Sequence, residues 1–317
     1  MGRAKRRISP AVRSAVDSDV DRLAVTELCR LLRKEEPPYI PDPRGDPIDP
    51  KVMLGAHILK AFFVETYPGA EARLKDSTAW RERFGKRVPS KSAMQENMGR
   101  IAMKQIRRIL RRLVRKTSKK FAADSSGFRT KDSCRWFDVR IGRKNSRRDY
   151  LKLHLLVDVE TGFVVDFHLS GGRAHDSPPG CRMLRRQVEI ELFVGDGAYA
   201  NRKTTQVVYE KGGISRVSLR PDVTHKSRGS PGWKATVTAF QEDAVTYKAV
   251  YHIRSFIEAV FASIKRRFGR ALHAIKGWHR RRELALKVVA YNLRHALYWN
   301  EADARGMPLY EEVLTKA

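Results

Sequence analysis

The sequence predicts an α/β domain preceded by an all-helical, basic region, and three observations carry that reading. Short apolar runs bounded by Gly, Asp and Ser, the pattern of strands, fill the stretch from Lys119 to about residue 219. Apolar residues recur at helical spacing before and after that stretch. The 317 residues, 42% of them hydrophobic, suffice for two compact domains or one large one with an appendage. The expected division is 1–118, a helical, basic region; 119–300, a mixed α/β domain; and 301–317, a tail.

In the first region, Leu23, Val25, Leu28, Leu31 and Leu32 define a helix over 20–33. The link EEPPYIPDPRGDPIDP should be extended. A helix over 51–67 should end at Pro68-Gly69. Short helices follow to Ser90, which is placed to cap a helix from Lys91 onward. Between Arg100 and Lys120 there are ten basic residues and no acid. On a helical wheel, Arg100, Lys104, Arg107, Arg108, Arg111, Arg112 and Arg115 fall within about 140°, opposite Met103, Ile106, Ile109, Leu110, Leu113 and Val114. A solvated face usually mixes both signs. Seven like charges on one side instead suggest a phosphate backbone that neutralises them.

Strands are expected over 121–124, 135–141, 150–158, 163–170, 192–196 and 215–219. Residues 150–170 read as a hairpin turning at Glu160-Thr161-Gly162. A helix over 177–189 would be capped by Asp176 or Ser177, and a short one should follow Asn201. The polar stretch 220–231 reads as a loop, and helices cover 245–268 and about 280–300.

Charge points to the partner. Sixty-four Lys and Arg face 35 Asp and Glu, a formal net charge of +29. Such a field attracts polyanions. No apolar run approaches the ~18 to 20 residues of a spanning helix, so nucleic acid is favoured over a membrane. The opening residues, MGRAKRRISP, lack the apolar core of a signal peptide, and a cytoplasmic protein is expected. Cys29, Cys134 and Cys181 are scattered, without a CxxC pair or zinc spacing, as befits structural cysteines in a reducing compartment.

Three acids stand out. Asp124 in KKFAADSSGF and Asp196 in LFVGDGAYAN each close an apolar run and precede small residues. Chemistry in α/β proteins gathers at such strand tips, although Asp-Gly and Asp-Ser also form ordinary turns. The third is Glu258, the single acid in YHIRSFIEAVFASIKRRFG. With Tyr251 at zero on a wheel, Arg254 falls near 300°, Glu258 near 340° and Lys265 near 320°, a polar stripe about 60° wide beside the apolar sector. An i,i+4 salt bridge to Arg254 would explain Glu258 but is worth only about 0.3 to 0.5 kcal/mol, and it leaves Tyr251 and Lys265 unaccounted for. Asp158 and Asp166 read as turn or surface residues, Asp176 as a helix cap and His154 as a satisfied buried histidine. Trp278 fits either a core position or a stacking surface, and the basic run His279 to Arg282 a phosphate contact.

The order Tyr251, two residues, Arg254, three residues, Glu258, six residues, Lys265 resembles the Y-(2)-R-(3)-E-(6)-K motif of prokaryotic insertion-sequence DDE transposases. AADSSGF resembles that family's first-aspartate strand. DYLKLHLLVDVETGFVVDFHLSGGRAHDS resembles its hairpin, with Lys152, His154 and His175-Asp176-Ser177. VGDGAYAN is similar to its second-aspartate motif, with Tyr199 three residues on. The resemblance covers about 119–300 and implies a ribonuclease-H-like mixed sheet with flanking helices. It further implies that Asp124, Asp196 and Glu258 are catalytic and hold two Mg²⁺ ions, with Mn²⁺ able to substitute. Arg254 and Lys265 would grip phosphates, and Tyr251 would bond a phosphate or stack on a base. The implied activity is cleavage at transposon ends and strand transfer into target DNA, by a homodimer on paired double-stranded ends. Two other readings remain: a nuclease without strand transfer, and a transposase-derived DNA-binding protein without catalysis, which the presence of all three acids disfavours.

Overall fold

The computed structural model describes residues 4–40, 48–130, 150–225 and 229–314. The strand expected over 135–141 and Cys134 lie outside them. The chain divides into two compact units, one built from Met1–Arg115 with Ala285–Ala317, the other from Lys116–Leu284. These are not the boundaries expected from sequence. Among the described residues no helix is long and apolar enough to cross a membrane.

The first unit is mainly helical but not all-helical. Strand β1 (Ala4–Ile8) pairs antiparallel with β7 (Tyr310–Leu314), so the stretch read as a C-terminal tail is part of a two-stranded ribbon. Both strands are five residues long, and their pairing across the whole sequence has no local signature. Helices α1 (Pro10–Ser18), α2 (Val20–Arg33) and α3 (Pro50–Phe63) follow. Helix α3 ends at Val64, which takes a left-handed conformation. Pro68 then lies in the first turn of a new helix, α4 (Tyr67–Asp76), whose cap is the Thr66 hydroxyl accepting from Gly69 N. The proline expected to stop one helix starts the next, because its missing N–H is not needed in a first turn. Helices α5 (Thr78–Phe84), α6 (Lys91–Asn97) and α7 (Met103–Leu113) complete the series. Leu28, Leu32, Met53, Leu54, Ile58, Trp80, Ile109, Leu110 and Leu293 are fully or almost fully buried.

The long helix expected from Lys91 is broken. Ser90 caps α6, but Ala102 is extended, and α7 begins anew at Met103. Arg100 and Arg115 therefore lie outside α7. Arg100 sits over the Tyr39 ring at 5.8 Å. Arg108 reaches Glu35 and Glu36 at 3.5 and 3.1 Å, Arg112 reaches Glu35 at 2.9 Å, and Arg115 pairs with Glu27. Glu27 and Glu35 are buried. The anions that neutralise this basic face are thus in part the chain's own carboxylates.

The second unit is built on a five-stranded mixed sheet in the order β4-β3-β2-β5-β6. Its strands are β2 (Lys120–Arg129), β3 (Tyr150–Asp158), β4 (Val164–Gly171), β5 (Leu192–Gly195) and β6 (Ile214–Val217). The first three run antiparallel, and β5 and β6 continue parallel to β2. The hairpin turns where expected, with Gly162 at φ +80°. Asp158 organises the turn: buried, it accepts from Thr117 Oγ1, Ser118 N and Oγ, Glu160 N and Thr161 N at 2.6–3.1 Å. Helices α8 (Ser177–Arg185), α9 (Arg202–Glu210), α10 (Pro231–Glu242), α11 (Ala244–Tyr251), α12 (Ser255–Phe268) and α13 (Gly277–Ala304) follow, α13 supplying residues to both units.

Alternation along β2 separates two faces of the sheet. Asp124, Ser126 and Phe128 point towards α12; Ala123 and Ser125 point away, beside His154 in the register. On that second face, α8 packs over β3 and β4. Asp176 heads α8 without capping it; its carboxylate instead meets Lys152 Nζ at 2.6 Å and His154 Nδ1 at 3.4 Å. The other nitrogen of His154 bonds the Ser170 hydroxyl at 2.7 Å. Asp166, expected near the surface, is buried and paired with Arg186 at 2.6 Å.

Two outcomes follow from these buried groups. Asp158→Ala strands several donors around the turn and should cost about 2–4 kcal/mol, read as a lower urea midpoint at unchanged slope. Burial pushes the His154 imidazole down to about 4, against the pull of Asp176. It stays neutral in the fold, while the unfolded chain takes up a proton below about pH 6.5. Its contribution is complete above that pH and declines as pH falls towards 4, and His154→Gln should flatten that segment of the midpoint profile.

Candidate active site

Asp124 does not close its strand. It lies inside β2, which runs five residues further, to Arg129, at the point where its parallel neighbour β5 stops. The register pairs Ala123 with Gly195, so Asp124 and Asp196 are the next residues on adjacent strands. Asp196 leaves β5 into a 3-10 turn over Gly197–Tyr199, and its Oδ1 accepts from Ala198 N at 3.0 Å. That bond fixes the carboxylate at the rim of the sheet.

Glu258 arrives from α12. The expected continuous helix over 245–268 is interrupted by a 3-10 turn at His252–Arg254, so Tyr251 ends α11 and Glu258 lies in the first turn of α12. Arg254 sits at the junction. Its Nη1 is 3.2 Å from Asp124 Oδ2 and its Nη2 is 2.5 Å from Glu258 Oε1. The i,i+4 bridge weighed from sequence is present, and the same guanidinium also holds the first aspartate. Glu258 is the open member: its side chain is 56% exposed, against 19% for Asp124 and 22% for Arg254.

Electrostatics tie the three acids together. Burial raises Asp124 above the usual carboxylate range; the Ser125 N–H and Arg254 work against that rise, while Asp196 and Glu258 add to it. Burial opposes the charge on Arg254, yet Tyr251, Glu258 and Asp124 outweigh it, and its pKa lies above the ordinary value.

Lys265 is two turns along α12 and reaches Ser126 Oγ at 2.6 Å, with its ammonium 5.4 Å from the centre of the Phe128 ring. Burial, then Arg270, lowers its pKa. Ser126 was not expected, but two residues beyond Asp124 on a strand is the same face, and that period was its signal. Tyr251 is half-buried against His252, three residues before Arg254 at the end of α11. The structure thus joins Asp124, Arg254 and Glu258 directly and Asp196 by register. Lys265 is placed beyond them on β2. Trp278 is 55% exposed, stacked on His279 with Lys276 nearby, which excludes a core position. Arg280, Arg281 and Arg282 all reach backbone carbonyls, of Ala274, Leu169 and Trp278.

Among the described residues, no three His, Cys, Asp or Glu side chains are spaced to grip a metal ion. The donors nevertheless fit one. They are hard carboxylate oxygens, and beyond the burial that chiefly raises Asp124, Asp196 and Glu258 add a repulsion that a cation relieves. The cationic place between Asp124 and Glu258 is taken by Arg254.

Residues 115–293, more than half of the chain, match the family model described as Transposase DDE domain. No curated protein matches the chain. Among solved structures, a cryo-EM structure of the piggyBac transposase synaptic complex with hairpin DNA is similar at 10% identity and a TM-score of 0.43. The match spans 96% of this chain and 79% of that one, a likeness too remote to bear on the site. On the match over 115–293, the chain belongs to the transposase DDE domain family.

Proposed function

We propose that the protein is a DNA transposase that cleaves transposon ends and joins them to target DNA, with Asp124, Asp196 and Glu258 as its catalytic acids. The observation that carries the reading is Arg254 bridging Asp124 and Glu258, with Asp196 next to Asp124 on the adjacent strand. The sheet order, three antiparallel strands then two parallel ones, supports a ribonuclease-H-like domain. The spacing of Tyr251, Arg254, Glu258 and Lys265 supports the insertion-sequence group that carries that motif.

The three acids would hold Mg²⁺, or Mn²⁺ in its place, which when bound supplies charge stabilisation for in-line phosphoryl displacement. The acids engage one N–H on each terminal nitrogen of Arg254. Released from Asp124, Nη1 and Nε can take two phosphate oxygens while Nη2 keeps Glu258. Lys265, held at Ser126, presents a point charge further along the same groove side of β2, and Tyr251 flanks Arg254 from α11. Double-stranded DNA is the partner, at transposon ends and at target. A homodimer on paired ends and a nucleoid-bound cytoplasmic location go with that reading.

In the first unit, Lys104, Arg107 and Arg111 are the basic side chains of α7 proposed to meet phosphate. Arg108, Arg112 and Arg115 have a structural share through Glu27, Glu35 and Glu36.

Asp124→Asn, Asp196→Asn and Glu258→Gln should each lower cleavage of end-bearing DNA by about 10³-fold, several kcal/mol of barrier. Binding of the same DNA should stay within about twofold, since phosphate contacts dominate affinity. Near-normal cleavage by any one variant removes that residue from the set. Joined product with target DNA and Mg²⁺ separates transposition from nuclease action; cut ends that never join would leave the nuclease reading standing. Lys104→Gln with Arg111→Gln should make the slope of log affinity against log salt shallower by about 2. Arg112→Gln should instead destabilise the first unit by about 1–3 kcal/mol, because it deprives the buried Glu35 of one cation.

A further inference from the structure

Behind the acids, on the α8 face of the same strand ends, lies a buried polar cluster that the proposed chemistry does not use. Its members are Lys152 and His154 on β3 and Asp176 before α8; Tyr199, in the turn that carries Asp196, packs its ring against Gly180 in the first turn of the same helix. Tyr199 and His154 are both fully buried.

Three atoms of these residues, His154 Nδ1, Asp176 Oδ1 and Tyr199 Oη, are buried without a hydrogen-bond partner among the described residues. Lys152 Nζ stands 2.6 Å from the Asp176 carboxylate as an ion pair and the neutral His154 stands 3.4 Å from it, neither in hydrogen-bond alignment. A buried phenol left unbonded gives up its bond to water for nothing, and phenylalanine would fill the same space without that loss. The hydroxyl therefore asks for a partner. A buried polar space with two to four such groups is where an ordered water resides.

The ring itself is clamped. A Cβ on Gly180 would stand 2.3 Å from Tyr199 Cε1, and one on Gly195 would stand 2.9 Å from Cδ2. Phe193 meets the ring edge-on at 5.8 Å. Only glycine at both positions lets the first turn of α8 and the end of β5 close on the tyrosine. Tyr199 is also bonded to the residue it would steer, its N–H donating to Asp196 O at 3.0 Å.

We propose that Tyr199 is a positioning residue for Asp196. Its hydroxyl donates through a buried water to the Asp176–His154 pair, and that link holds the 196–199 turn so that the Asp196 carboxylate stands beside Asp124. This rests on the reading of Asp196 as a metal-holding acid.

The test is Mn²⁺ affinity of the full chain by calorimetry, with thermal melting alongside, for Tyr199→Phe, Asp176→Asn, their double variant and Asp196→Asn. Tyr199→Phe and Asp176→Asn should each weaken Mn²⁺ binding by about tenfold, as loss of an outer partner typically does. The double variant should be no weaker than the weaker single, the mark of one shared link. Tyr199→Phe should melt with the wild type. Wild-type affinity in Tyr199→Phe, or additive losses in the double variant, would overturn the positioning role alone, provided Asp196→Asn loses the metal. Wild-type affinity in Asp196→Asn would overturn the metal reading and this proposal together. Should Asp176→Asn not fold, Ser170→Ala, which frees the other nitrogen of the same imidazole, takes its place in the cycle with the same expected pattern.

Discussion

One guanidinium holds the candidate site in its present form. Arg254 reaches a strand on one side and a helix on the other, and the two carboxylates it joins would otherwise repel across a half-buried space. The interrupted helix is what makes this possible. A 3-10 turn at His252–Arg254 offsets α11 from α12 and leaves Arg254 at the corner, where it can look back to its own helix and across to β2. The arginine acts as a resident counter-ion, and any cation that enters must compete with it.

The same rule of answered charge runs through a chain with a net charge of +29. Buried acids are few, and each has its answer. Glu27 and Glu35 receive arginines, Asp166 receives Arg186, and Asp158 receives backbone and hydroxyl donors. These acids stabilise structure. Asp124 differs in kind, because its answer comes from a residue that also serves an exposed neighbour, so its balance is open to exchange.

What the sequence revealed, and what it hid, follows from the range of the interactions. Helix α2 and the hairpin turn at Gly162 depend on near neighbours, and both lie where periodicity and turn chemistry put them. The Arg254–Glu258 bridge is likewise local. The approach of Arg254 to Asp124 spans 130 residues, and only the packing of the 252–268 segment on β2 brings it about. The breaks before Met103 and at His252 hinge on backbone conformations that a helical wheel assumes away. Asp176 looked like a cap because it stands at a helix start; a lysine 24 positions earlier in the chain claims its carboxylate instead. Arg108, Arg112 and Arg115, counted in one cationic face, meet acids that folding brings to them.

The first unit is discontinuous, made from residues before 116 and after 284, whereas the second is one uninterrupted stretch. During synthesis the stretch with the three acids is therefore complete while its companion still lacks the end of α13 and β7. Helices α1 to α7 pack partly on one another, and the first unit is complete only when the buried Leu286, Val289 and Leu293 have been made. In order of appearance the sheet domain is whole first, and β1 waits across almost the entire chain for the partner strand it pairs with.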